Sequence, residues 1–196
     1  MQIVIKETDR LNVILSDFLN YSQPRKNNNT IIDLTQLIQD VIILLKNKED
    51  ISSKKQIVFK GTTDHLILNG DEEQIKQVVW NLCINALEAM SQGTLTLKLK
   101  EVFSFRSGEF QANHRGMVLE VQDEGCGIAL DQINNIYDPF YSSKKNGVGL
   151  GLATVYQIVN RNEGIMDVKS TVGKGTLFTV FLPDQDSLKS VPMLSH

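Results

Sequence analysis

The chain has 196 residues, of which 41% are hydrophobic and 22% charged, and a formal net charge of -3. That balance excludes a disordered chain and leaves room for one well-buried domain with an appended element. The charge gives no electrostatic ground for a nucleic-acid or membrane-surface partner, and no run is long and apolar enough to span a membrane. From Gln2 to Ser22 the apolar residues Val4, Leu11 and Phe18 step by seven, with Ile14 and Tyr21 on an adjacent row. This stripe belongs either to a helix packed on its own domain or to a dimeric bundle. Its start carries acidic residues and no cleavage pattern, unlike a signal peptide. Pro24 and the polar run to Asn29 read as a linker.

A short strand over Thr30–Asp33 precedes a helix over Leu34–Lys48, with apolar spacing at Leu37, Ile38, Val41, Ile42 and Leu45. Gln56–Lys60 and His65–Leu68 read as strands, the second ended by Asn69-Gly70. Asp71 then caps a long helix to about Met90 that buries Ile75, Val78, Val79, Leu82, Ala86 and Ala89. Thr94–Phe103 and Met117–Gln122 alternate like strands around a loop. Leu130–Ile136 reads as a short helix and Leu150–Asn160 as another. Ile165–Ser170 and Gly175–Leu182 are closing strands, and the chain beyond Pro183 reads as a frayed tail. Cys83, in an apolar helical run, and Cys126, between glycines, give no ground for a disulfide and fit a reducing compartment.

Four stretches carry chemistry. Asp123-Glu124-Gly125-Cys126-Gly127 closes a strand with a carboxylate, which accepts hydrogen bonds and suits the exocyclic amino group of a base such as adenine. Gly147, Gly149 and Gly151 alternate where a helix begins, so their amides can meet phosphate oxygens. Asn81 and Asn85 are four apart on the face of the apolar stripe, where amides are costly unless bonded. Bonding to neighbouring backbone is the commoner fate of one such Asn. Two, ahead of a glycine-rich pocket, favour a Mg²⁺ bridging phosphates, for which Asn carbonyls are hard oxygen ligands. The polar stretch Asp138–Asn146, with Phe140 to seat it and Lys144-Lys145 to meet phosphate charge, reads as a lid.

In order, these stretches resemble the nucleotide-binding boxes of sensor histidine kinases. Asn81-Leu82-Cys83-Ile84-Asn85-Ala86 resembles the N box, Asp123 to Gly127 the first glycine box, Asp138-Pro139-Phe140 the F box, and Gly147 to Ala153 the second glycine box. Gly173-Lys174-Gly175-Thr176 with Phe178 and Leu182-Pro183 resembles the closing strands. The likeness covers about Thr30 to Pro183, and the helix of residues 1–24 looks like the second helix of the family's dimerisation and phosphoacceptor hairpin. The family's first helix, which carries the phosphorylated histidine, has no counterpart here. His65, His114 and His196 all lack an acceptor's helical context. Asn162-Glu163-Gly164 departs from the family's frequent His-Gly-Gly turn.

The resemblance implies four segments: residues 1–24, a linker at 25–29, an ATP-binding two-layer α/β sandwich at 30–183 and a flexible tail at 184–196. It implies ATP and Mg²⁺ as ligands and transfer of the γ-phosphoryl group to a histidine. Asn85 would lie on Mg²⁺, Asn81 near the phosphates, Asp123 on the adenine amino group, and Gly125 and Gly127 around the base. Lys144 would reach the terminal phosphate, Phe140 would set the lid, and Gly147, Gly149, Leu150, Gly151 and Leu152 would wrap the phosphates. Thr176 would support Asp123. Implied partners are the acceptor-histidine domain of the same kinase, a response-regulator receiver domain and a second copy in the full-length protein, with no nucleic-acid or membrane contact by this segment. The implied location is cytoplasmic, with inner-membrane anchoring of the parent left open. Related ATPases are similar except for a glutamate where Asn81 stands, and an amide cannot act as a general base. A serine kinase of the anti-sigma type and a non-catalytic docking module are the rival readings.

Overall fold

The computed structural model describes residues 28–48, 54–61, 65–107, 110–142 and 148–186. The stripe of Val4 to Tyr21 and the linker as far as Arg25 and Lys26 lie outside them. Strand β1 (Asn29–Asp33) leads into helix α1 (Leu34–Lys46), and β2 (Lys55–Lys60) and β3 (Ile67–Asp71) follow. Helix α2 (Glu72–Ala89) comes next, then β4 (Gly93–Val102), β5 (Phe105–Ser107), β6 (Phe110–Ala112) and β7 (Gly116–Gln122). Helix α3 (Gly151–Arg161), β8 (Ile165–Thr171) and β9 (Gly175–Pro183) complete the fold.

The main sheet has the order β2-β4-β7-β9-β8, with β2 parallel to β4 and every other pair antiparallel. Side chains alternate across a strand. Leu95, Leu97 and Leu99, Met117, Leu119 and Val121, and Phe178, Val180 and Leu182 therefore share one face. They are buried with α1, α2 and α3 in the main core. This is the expected two-layer α/β sandwich. Both long helices open on an aspartate whose carboxylate accepts from the amide three residues on: Gln36 N to Asp33 at 3.1 Å and Gln74 N to Asp71 at 3.0 Å. Glu72 and Glu73 add negative charge at the amino end of α2.

The structure corrects several expectations. β3 runs through Asn69 and Gly70 to Asp71, because β1 pairs with it antiparallel along that length. It begins only at Ile67, and His65 instead pairs with Asp33. Over Leu130–Ile136 only a 3-10 turn forms, at Ile133–Asn135. Leu130 is exposed, only Ile136 is buried, and a helix with no face to bury has little to hold it. The loop before β7 holds the β5–β6 hairpin, which folds over the far side of the sheet. There Phe105 stacks on Phe181 at 5.3 Å, and Ala112, Val118 and Phe181 form a second small core. The expected flexible tail starts as an anchored one. Asp184 is buried and bonded by the Arg115 guanidinium, and Asn69 Nδ2 donates to Asp186 at 2.8 Å.

Candidate functional site

The site forms where α2, the loop after β7 and the start of α3 meet, on the helix side of the sheet. Asn81 and Asn85 lie one turn apart on α2 and are half-buried, at the border of the apolar stripe instead of within it. Asn81 Nδ2 donates to the carbonyl of Gly151 at 3.3 Å. A Cβ on Gly151 would stand 3.4 Å from Asn85 Nδ2. Both amides thus converge on the first residue of α3. Among the described residues no side chain caps that helix. An uncapped amino end beside two asparagines is suited to an anion.

Asp123 directly follows β7 and is 3% exposed. Its Oδ1 accepts from the amides of Gly125 at 2.8 Å and Thr176 at 3.3 Å, and its own amide donates to the Thr176 carbonyl at 2.9 Å. A buried carboxylate held in this way has a fixed direction. Thr176 supports it through the backbone, since the Thr176 hydroxyl is engaged with Ser170 Oγ at 2.9 Å. Ser170 was not singled out from the sequence, although β8 alternation places it on the inner face after Met166 and Val168. It accepts from the Ile128 amide at 2.8 Å and donates to the Gly175 carbonyl at 3.1 Å, so the shared hydrogen comes from Thr176.

The glycines after Asp123 serve the protein's own packing. Cys126 N, between them, donates to the Ala89 carbonyl at the end of α2 at 3.1 Å, next to which Gly125 sits. Gly127 has φ +70 and lies so close to β8 that a Cβ would stand 2.1 Å from the Thr171 carbonyl. These two glycines therefore shape the loop.

Phe140 N donates to the Gly149 carbonyl at 3.0 Å. Gly149 has φ +75, and a Cβ there would lie 2.5 Å from the Phe140 carbonyl carbon. Phe140 itself has φ +67 and an exposed ring, a strained backbone for a side-chain-bearing residue. Leu150 is buried and Leu152 packs against the core, so both hold the start of α3 in place. Lys144 and Gly147 lie outside the described residues. Burial pushes the Cys83 thiol, behind the asparagines, up to about 12. Among the described residues no cluster of His, Cys, Asp or Glu could hold a metal.

Residues 70–186 match the family described as histidine kinase-, DNA gyrase B- and HSP90-like ATPase. The chain is 34% identical over 184 residues to the sensor histidine kinase ZraS of Salmonella typhi, covering 93% of this chain and 37% of that protein. It is 32% identical over 185 residues to sporulation kinase C of Bacillus subtilis, covering 92% and 40% respectively. It thus spans about two fifths or less of these curated relatives. In fold it resembles full-length ShkA, solved in complex with AMPPNP, with a TM-score of 0.76 at 21% identity over 91% of this chain and 36% of that one. It also resembles the catalytic domain of the histidine kinase ThkA, with a TM-score of 0.66 at 22% identity over 80% of this chain and 96% of that one. A further structure, covering 93% of this chain and 50% of that one, holds ThkA with the response regulator TrrA, with a TM-score of 0.72 at 24% identity. With four ordered boxes, a mixed sheet backed by three helices and a family match over most of the described residues, the chain belongs to the histidine kinase-, DNA gyrase B- and HSP90-like ATPase family.

Proposed function

We propose that this chain is the ATP-holding part of a sensor histidine kinase, which presents the γ-phosphoryl group to a histidine on a helical acceptor domain for relay to a response-regulator aspartate. The observation that carries this is the convergence of Asn81 and Asn85 on the uncapped start of α3, where Asn81 Nδ2 lies 3.3 Å from the Gly151 carbonyl oxygen. Asp123 binds the adenine amino group. Asn81 and the α3 amides would surround the phosphates, with Lys144 the cation that the family resemblance implies for the terminal phosphate. Asn85 would hold Mg²⁺, whose charge would offset that of the phosphates. The acceptor imidazole's lone pair forms the N–P bond as the bridging P–O bond to ADP breaks. The chain's part is to orient the nucleotide and withhold it from water. Asn81 offers no general base where hydrolysing relatives carry a glutamate, so transfer to an incoming nucleophile is favoured. The acceptor domain, a second copy and a receiver domain are the partners, on the cytoplasmic side. Among the described residues no helix is long and apolar enough to cross a membrane.

Calorimetric titration with ATP and ADP, with and without Mg²⁺, tests this. Wild type binds, and Asp123→Asn loses about 1.5–3 kcal/mol, roughly tenfold or more in affinity. Supplied with a histidine-bearing helical hairpin, the chain gives acid-labile, base-stable phosphate on the hairpin. No ATP binding, or acid-stable phosphate on a partner, overturns the reading.

A further inference from the structure

Away from the glycine loops, a chain of hydrogen bonds joins the other ends of the two helices that frame the site. Asp71, 7% exposed at the start of α2, accepts from the Asn28 amide at 2.9 Å and from Gln74 Nε2 at 3.0 Å. Gln74, 6% exposed, turns its Oε1 to Asn162 Nδ2 at 3.0 Å. Asn162 is the residue that ends α3, and its Nδ2 also donates to the Ile158 carbonyl at 2.8 Å. The Asn162 carbonyl in turn accepts from Gln185 Nε2 at 3.2 Å. The helices run antiparallel here. Gln74 near the start of α2 meets the end of α3, and Asn81 two turns on meets its beginning.

We infer that Gln74 and Asn162 are positioning residues, which clamp the far end of α3 to α2 and thereby set where its amino end stands relative to Asn81 and Asn85. α3 has 11 residues, so it is a lever of about 16 Å. A small rotation about its carboxyl end displaces the amides that face the phosphates. At the amino end the long 3.3 Å bond from Asn81 acts beside the packing of Leu150 and Leu152, and so long a bond leaves part of the helix angle to be set at the far end. The clamp is polar and directional, so it specifies one register where apolar contacts would tolerate several. Its upstream end is the Asn28 amide, where the chain enters from residues 1–27, so the same bonds fix α3 relative to that entry point.

This rests on the nucleotide reading, and the test separates the two. Affinities for ATP and for adenosine are measured on the full chain, on Asn162→Ala, on Gln74→Met and on the double variant, each checked for folding by thermal melting. Asn162→Ala removes only a half-buried helix-end side chain and keeps a folded protein available if Gln74→Met does not fold. The positioning role predicts that each variant loses about fivefold in ATP affinity with adenosine binding within about twofold, and that the double variant is no worse than the poorer single. ATP and adenosine affinities that fall together, or an unchanged ATP affinity in folded Asn162→Ala, overturn it. Wild type that binds neither overturns the nucleotide reading and the clamp's role together.

Discussion

The two cysteines differ in what surrounds the sulfur, and that difference is measurable. Cys126 is exposed in the loop after Asp123, whereas Cys83 is fully buried, its thiol pushed up to about 12 by desolvation. Because the thiolate is the nucleophile, Cys83 is inert at neutral pH in the folded chain. Thiol titration should count one reactive group natively and two in denaturant, and two natively would refute the buried placement. Gly127→Ala tests the loop itself. Its φ of +70 and the Thr171 carbonyl 2.1 Å from any Cβ forbid a side chain, so the substitution should cost more than about 2 kcal/mol by denaturant unfolding. The need for glycine here was legible in the sequence, but not the reason. A glycine against a neighbouring strand and one against a ligand read alike until the neighbour is seen. Asn81 and Asn85 were legible because a spacing of four on a helix is a local signal. Gln74 and Asn162 are 88 positions apart and carry none.

At the level of elements, the Asp71 cap of α2 was readable because cap and helix are adjacent in sequence, while Asp33, which caps α1, read only as the end of a strand. Asp33 gives the clearer test. Burial acts to raise its carboxyl, but the Gln36 amide and the His65 ring outweigh this and hold it below its ordinary value. A group with a depressed folded value contributes stability above its unfolded value and loses it as pH falls through the folded one. Asp33→Ala should therefore cost about 1 kcal/mol near neutral pH. The gap from wild type should narrow below about pH 4, where the unfolded carboxyl becomes protonated. A constant gap across that range would show that the cap acts without its charge. The β5–β6 hairpin escaped reading for the opposite reason. Its strands have three residues each, too few to display a period, and its meaning lies in contact with Phe181 far along the chain. The anchoring of Asp184 by Arg115, 69 positions away, was hidden likewise.

The main sheet of the described residues has two unequal faces, and β9 serves both. Thr176 and Phe178 point to the helix side, where Thr176 supports Asp123, while Phe181 points to the far side, fully buried beneath the hairpin. The pattern of strands and helices fixed the first face in advance, because the ordered boxes require it. The second face was not foreseen, since a sheet backed on one side by helices is expected to meet solvent on the other. If the faces are separable, stability and binding can be changed independently. Phe181→Ala removes a ring with no exposure and should lower unfolding stability by about 3–5 kcal/mol, a large share of what such a domain has. Measured at a temperature where it is still folded, its ATP affinity should match wild type. Asn85→Ala should do the reverse, keeping the denaturant midpoint within about 1 kcal/mol of wild type while losing Mg²⁺-dependent ATP binding. Loss of nucleotide affinity in folded Phe181→Ala would mean that the far face transmits to the site through β9, and the two faces would have to be treated as one cooperative unit.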